Sequence, residues 1–560
     1  MASSGGHRPR SNGWRAGWPG RVVPNAAPQC FAYGPPNLLR NTLWNLLGEG
    51  LPMAAALLSI PWLISAVGME RFGALTLIWA LLGYLGVLDL GLGRSLVQVV
   101  ADRIGHAGGG HEAGQGAANT AGIAGPAIAL MGAIGVLTGG AVALGAGLLA
   151  DRFQLETGTS PDEIRTSLLV AAAIVPIALV SAGLRGVLEA HQRFRPISLV
   201  RMTVGVLNYL SPLFVLPFSQ SLVPVIAAIA AGRFIGLVGY GVLAVGQVPD
   251  LLRPGRWGRP SLRGLFTMSA WMMLNNLVGP AMLYADRFIL LSLVPAAMVA
   301  FYTTPFELLS RLMVIPGALS LALFPLASSL FRRDPPALGR ILDTGGHLTL
   351  AVFLAMQAAT IVGGETALEL WLGPAFAANS ASVLSILMLG VFFNATAYVP
   401  NTLIQSVGRV DVTARLQLAE LPVYLGVLWL LAERYGAVGA AAAWSLRTAV
   451  DCGLLLVLLP RVAPGTGTVA LTIGLRALLA GVAGLAGLLV GGPVGAAISL
   501  TGLLAVGLGV AGRLLRTRSW EKLAAPLRKN RAVPLPTPLP SPRMNGINGQ
   551  AIDGAAADGP

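Results

Sequence analysis

The chain has 560 residues, of which 54% are hydrophobic and only 11% charged, and its mean hydropathy is +0.71; an ordinary soluble domain carries about 25% charged residues. This composition excludes a water-soluble globule, and apolar runs of about twenty residues recurring from Thr42 to Leu515 suit a hydrocarbon core roughly 30 Å thick. The net charge of +14 would suggest nucleic acid in a soluble protein, but nearly all the basic residues sit at the ends of apolar runs, which records topology and leaves no nucleic-acid partner.

Residues 1–37 are rich in Gly, Pro and Arg and lack the apolar core of a cleavable signal peptide, so a disordered cytoplasmic tail is expected. Spans follow near 42–66, 72–99, 120–149, 166–188, 197–218, 222–246, 266–292, 299–325, 341–362, 380–404, 413–433, 436–459, 468–489 and 491–512. The predicted fold is an all-α polytopic membrane protein of about fourteen transmembrane helices. A first six-helix lobe covers 38–246, and a basic cytoplasmic linker containing PDLLRPGRWGRPSLRG covers 247–265. A second six-helix lobe covers 266–460, two further helices lie within 461–512, and a disordered basic, Pro-rich cytoplasmic tail covers 513–560.

If the N-terminus is cytoplasmic, alternate loops hold Arg103, Arg185, Arg193, Arg195, Arg253, Arg256, Arg259, Arg263, Arg332, Arg333, Arg340, Arg409, Arg415 and Arg461. The opposite loops hold only Arg71, Arg152, Arg165 and Arg434, beside Asp151, Asp162, Glu163, Glu365 and Glu369. That asymmetry predicts an even number of spans with both termini inside.

Polar residues within the spans fall into stripes. Asn394, Tyr398, Asn401 and Gln405 share one helical face, and Asn275 and Asn276 lie three turns before Asp286 and Arg287. The first span aligns Asn41, Asn45, Gly48 or Glu49, and Pro52; the fifth aligns Arg201, Gly205, Asn208 and Pro212. Such stripes either line a hydrated cavity or hold helices together. The ionisable residues divide similarly. Glu307 with Arg311, and Arg447 with Asp451, are spaced to pair on one face, while Arg94 and Arg201 lie near helix ends where they can snorkel. Arg233 is near mid-span with no acidic neighbour within a turn and is the best isolated candidate for an anionic ligand. Intramembrane carboxylates are the usual proton or ion relays, which makes Glu49, Asp89, Asp286 and Glu307 coupling candidates.

Other chemistries find no support. Cys30 and Cys452 are too separated for a metal site or disulfide framework, and the histidines of HAGGGHEAGQG read as part of a flexible Gly-rich linker. The chain has no Walker motif, and no cofactor, metal or catalytic residue is expected.

The segment NTLWNLLGEGLPMAAALLSIPWLISAVGMERFGALTLIWALLGYLGVLDLGLGRSL at 41–96 resembles the first two helices of bacterial polysaccharide-export flippases, the Wzx-like O-antigen and exopolysaccharide translocases of the multidrug/oligosaccharidyl-lipid/polysaccharide (MOP) exporter superfamily. YADRFILLSLVPAAMVAFYTTPFELLSRLMVIPGALSLALFPLAS at 284–328, PNTLIQSVGRVDVTAR at 400–415 and YGAVGAAAAWSLRTAVD at 435–451 extend the resemblance over most of 41–460. It implies two six-helix lobes around a central cavity and a non-enzymatic transporter of the bacterial inner membrane. The implied cargo is undecaprenyl-diphosphate-linked oligosaccharide, passed on to polysaccharide polymerase or export machinery. Under that reading Arg233, Arg287 and Arg311 would grip the diphosphate, Arg94 would admit it, and Asn275, Asn276, Asn394, Tyr398, Asn401 and Gln405 would face the sugars. The rival readings are a cation-coupled drug or metabolite exporter of the same superfamily, and a membrane polysaccharide polymerase or ligase.

Overall fold

Backbone in hydrocarbon must satisfy its own hydrogen bonds, and the apolar runs do so as helices. The computed structural model describes residues 35–87, 113–151, 160–191, 193–253, 284–334 and 336–517, with isolated positions at 92, 93, 96, 97, 100 and 282. In chain order the helices are α1 (Pro35–Val87), α2 (Ala113–Ala150), α3 (Pro161–Ala190), α4 (Phe194–Val215), α5 (Leu222–Gln247), α6 (Ala296–Ser310), α7 (Val314–Arg333), α8 (Ala337–Leu372), α9 (Pro374–Ser406), α10 (Val410–Val462), α11 (Gly467–Val490) and α12 (Gly492–Thr517). Residues 284–293 are also helical, and 3-10 turns cover Pro249–Leu252 and Arg311–Met313. No strand occurs among the described residues.

Eleven helices among these residues are long and apolar enough to cross a membrane, against about fourteen predicted, so the structure supports the fold class without establishing that number. α1 joins the predicted spans 42–66 and 72–99 across Gly68 (φ 80), and α10 joins 413–433 and 436–459 across Gly436 (φ 55). A positive φ is open to glycine at little cost. At Gly436 the chain doubles back: a Cβ on Gly439 would lie 1.9 Å from the carbonyl oxygen of Leu431, whereas eight residues of straight helix span about 12 Å. The predicted span 266–292 and linker 247–265 lie largely outside the described residues. So do the predicted tails, except that α1 begins at Pro35 and α12 runs on to Thr517.

One local expectation needs correcting. The predicted outer loop 363–379 is mostly helix, because α8 continues to Leu372 and Gly373 (φ 90) turns directly into α9. The predicted span 299–325 falls within one apolar crossing, Ala296–Phe331, that tightens to a 3-10 turn at Arg311–Met313, where Pro316 has no N–H to offer the carbonyl of Leu312.

Helices α1 to α5 pack chiefly on one another, and α6 to α12 form a second group. α1 against α6 is the main seam between the two, and α11 and α12 form a hairpin docked on α8 and α10. The helix ends gather at two faces. At the first, the Gly68 end, Glu163 accepts the Leu222 N–H at 2.7 Å and pairs with Arg71 at 3.4 Å, tying α1, α3 and α5 together. Ser160 caps α3 by accepting the Glu163 N–H at 3.1 Å. At the second, the His191 end, Arg193 donates to Gln247 at 3.2 Å and Arg513 pairs with Asp343 at 3.2 Å. We expect Glu163→Ala to leave the Leu222 donor unpaired and to cost about 1–3 kcal/mol, read as a lowered thermal midpoint in detergent.

The outer surface is apolar. Leu144 is 90% exposed and Phe218 89%, an arrangement tolerable only where lipid covers it.

Candidate binding cavity between the bundles

A cavity of about 430 Å³ lies between the two groups of helices. The first bundle contributes Gly48, Pro52, Phe72, Thr76 and Trp79 from α1, Ser181 and Arg185 from α3, Arg201, Gly205, Asn208 and Tyr209 from α4, and Arg233 and Tyr240 from α5. The second contributes Tyr284, Arg287, Thr303, Thr304, Glu307, Arg311 and Trp371. Among the described residues, five arginines and one carboxylate line it.

Close packing shapes the wall. The stripes predicted on the first and fifth spans face each other: a Cβ on Gly48 would touch the Arg201 guanidinium at 2.9 Å, and one on Gly205 would meet Pro52 at 2.4 Å. These stripes therefore both hold helices together and line the cavity. At the Gly68 end the bundles meet backbone to backbone, since a Cβ on Gly73 would lie 2.0 Å from the carbonyl oxygen of Ala296. Trp371 donates its indole N–H to the Leu57 carbonyl at 2.7 Å across the same seam. Towards the His191 end the described lining includes Gly48, Arg185, Arg201 and Tyr240. The cavity is thus sealed at the Gly68 end and reaches towards the other.

The arginines differ in their partners. Arg287 donates to Glu307 at 2.7 Å, its side chain only 2% exposed, and stacks on the rings of Tyr284 and Phe306 at 4.9 and 5.1 Å. Arg311 lies 3.8 Å from the same carboxylate, the pair its spacing predicted. Arg185 pairs with Glu189 at 3.3 Å. Arg233 makes no ion pair among the described residues, and its buried Nε has no hydrogen-bond partner; Tyr209 and Tyr284 line the same cavity. Trp79 Nε1, Asn208 Oδ1, Thr303 Oγ1 and Thr304 Oγ1 are also buried in this wall without partners. Buried polar atoms are nearly always paired, and these lie in the cavity wall, where they are within reach of whatever occupies it.

The predicted site residues are thus only partly gathered. Arg233, Arg287, Arg311 and Glu307 meet at the cavity. Asp286 is fully buried behind it, accepting from the Arg287 backbone N–H at 2.8 Å and from the Tyr302 hydroxyl. Asn394, Tyr398, Asn401 and Gln405 are not in the cavity lining; Gln405 donates to Asn401 at 3.1 Å, and Tyr398 faces Gly317 of α7. Arg94, Asp89, Asn275, Asn276 and the side chain of Glu49 lie outside what the structure describes. Arg447 and Asp451, predicted to pair, are charge neighbours that do not close to ion-pair distance; Arg447 donates to Met282 Sδ at 3.4 Å and lies 5.4 Å from the centre of the Tyr424 ring. Arg185, Tyr209, Tyr240, Trp79 and Trp371 are additional lining residues. Arg185 was legible only as a topology charge, because position within a helix end does not say which way the side chain turns.

The family model described as polysaccharide biosynthesis protein matches residues 38–331, more than half of the chain. The chain belongs to that family. This polysaccharide biosynthesis family member is 28% identical over 421 residues, 75% of its length, to a candidate O-antigen transporter of Shigella flexneri, of which 97% is covered. Among solved structures its fold is similar to an inward-facing multidrug-resistance MATE transporter of the MOP superfamily, with a TM-score of 0.61 at 14% identity, covering 78% of this chain and 95% of that one. It is also similar to the lipid II flippase MurJ in an inward-closed conformation, with a TM-score of 0.61 at 12% identity, covering 86% and 99%. The family member is therefore a multi-pass membrane protein with the fold of MOP transporters, and the proteins it matches are transporters rather than enzymes.

Proposed function

We propose that the protein flips a polyprenyl-diphosphate-linked oligosaccharide from the cytoplasmic to the outer leaflet of the bacterial inner membrane. The observation that carries this reading is the lining of the cavity, with five arginines against one carboxylate between two helical bundles. A diphosphate is a fixed anion, and guanidinium matches its oxygens with paired donors. Sugar hydroxyls crossing hydrocarbon unaided would each forfeit roughly 2–7 kcal/mol. Asn208, Tyr209, Thr303 and Thr304 can replace that lost hydration while the polyprenyl chain stays in lipid.

The described arginines at the His191 end include Arg193, Arg195, Arg340, Arg409 and Arg461, whereas the Gly68 end is rich in acidic groups. The positive-inside rule therefore turns the His191 end to the cytoplasm. On that orientation the cavity is reached from the inside and sealed outside by Gly73 on Ala296 and by Trp371 on Leu57. Alternating access would break these two contacts and close the His191 end. Of the coupling candidates, Glu307 stands in the cavity and Asp286 behind it; if either carries a driving ion, collapsing both proton and sodium gradients in proteoliposomes stops transport. The drug-exporter reading is disfavoured because organic cations would meet an excess of arginines.

Native mass spectrometry of the purified full chain tests the assignment. Polyprenyl diphosphate should be retained in preference to neutral lipid and cationic dye. Retention of the dye alone would overturn it.

A further inference from the structure

The two walls of the cavity do not offer their charge equally. On the first bundle Arg233 has no ion-pair partner among the described residues. On the second, the charge of Arg287 is already occupied. Its guanidinium carbon lies 4.9 and 5.1 Å from the centres of the Tyr284 and Phe306 rings, and the guanidinium donates to Glu307 at 2.7 Å. Asp286 adds negative charge behind Arg287 but accepts its hydrogen bonds from the Arg287 backbone N–H and the Tyr302 hydroxyl, so Glu307 is the carboxylate bonded to the guanidinium. The exposures differ accordingly: the Glu307 side chain is 46% exposed and Arg287 2%. Glu307 and Arg287 both line the cavity, with Glu307 the more exposed of the two, and the other Glu307 oxygen lies 3.8 Å from Arg311.

We propose that Glu307 is a resident counter-ion that the headgroup must displace, so that recognition of a diphosphate by the second bundle is an anion exchange rather than a simple addition. This rests on the reading of the cavity as a diphosphate site. An anion entering from the His191 end passes Arg185 and Arg201, pairs with Arg233, which has no ion-pair partner among the described residues, and then exchanges with Glu307 for Arg287 and Arg311. A dianionic or trianionic diphosphate competes with a carboxylate far better than a less highly charged anion does. Glu307 thereby sets a charge threshold for entry, and its return to Arg287 expels the headgroup at the end of the cycle. A carboxylate fixed there only to neutralise a buried arginine would give neither effect.

The test titrates the purified full chain in nanodiscs with inorganic pyrophosphate and with inorganic phosphate, comparing wild type, Glu307→Gln, Glu307→Asp and Arg233→Ala. Glu307→Gln is expected to bind pyrophosphate about tenfold tighter and to lose most of its preference for pyrophosphate over phosphate. In a flipping assay it should lower KM and kcat together, because substrate enters easily and leaves slowly. Glu307→Asp keeps the charge but cannot span both arginines, and should bind pyrophosphate about threefold tighter; it carries the test if the glutamine variant does not fold. Unchanged or weaker pyrophosphate binding in the folded Glu307 variants, with weaker binding in Arg233→Ala, would overturn the exchange while leaving the diphosphate cavity standing. Unchanged binding in Arg233→Ala would overturn the cavity reading itself.

Discussion

Arg233→Ala is expected to weaken binding of a polyprenyl-diphosphate headgroup by roughly 10–100-fold, the worth of one charge-assisted contact to an anion. The same substitution should leave the thermal midpoint unchanged or raised. Arg233 makes no ion pair among the described residues, and its Nε is buried unpaired, so the side chain costs desolvation without structural return. A loss of affinity with no loss of stability separates a ligand-binding arginine from a structural one, and titration beside a thermal melt measures both. Arg287→Ala should behave oppositely. Removing the buried guanidinium beside the Tyr284 and Phe306 rings leaves a void and a half-exposed Glu307 without its partner, and stability should fall by about 2–5 kcal/mol, as for other large-to-small changes at a buried site.

The second large effect concerns the seal. Gly73→Val is expected to force the bundles apart at the Gly68 end, because even a Cβ there would sit 2.0 Å from the backbone carbonyl oxygen of Ala296, and backbone cannot rotate out of the way as a side chain can. Overpacking of this kind costs about 1–3 kcal/mol, enough to shift a two-state equilibrium by roughly 5–150-fold. Spin labels on Asp162→Cys and Leu370→Cys, both exposed at that end, should report a longer distance in the Gly73→Val background than in the parent. Gly140→Ala, where a Cβ meets nothing within 4 Å, should leave the distance unchanged. If Gly73→Val also leaves it unchanged, the glycine contact does not hold the seal.

How far the sequence reaches is visible in individual residues. The helical class and the polar faces of the first and fifth spans followed from spacing, and Gly48 on Arg201 and Pro52 on Gly205 are the contacts those faces make. The stripe from Asn394 to Gln405 has equally regular spacing, yet it packs within the second bundle. Periodicity identifies a polar face but not the neighbour it turns to. Pairing across helices was illegible for the same reason: Arg287 finds Glu307 twenty residues away, whereas Arg447 and Asp451, at four-residue spacing, are charge neighbours without a close contact. The reversal at Gly436 was predicted as a gap between two spans, and only the approach of Gly439 to Leu431 makes it a hairpin.

The central claim is that the arginine-lined cavity carries a lipid-linked diphosphate across the bilayer. Its most direct test is translocation of a fluorescent polyprenyl-diphosphate oligosaccharide in proteoliposomes, comparing wild type with Arg233→Ala at matched reconstitution. Fast movement to the opposite leaflet in wild type, slowed at least tenfold in the variant at subsaturating substrate, is the predicted result. No translocation by wild type, with release of cationic dye under a proton gradient, would contradict it.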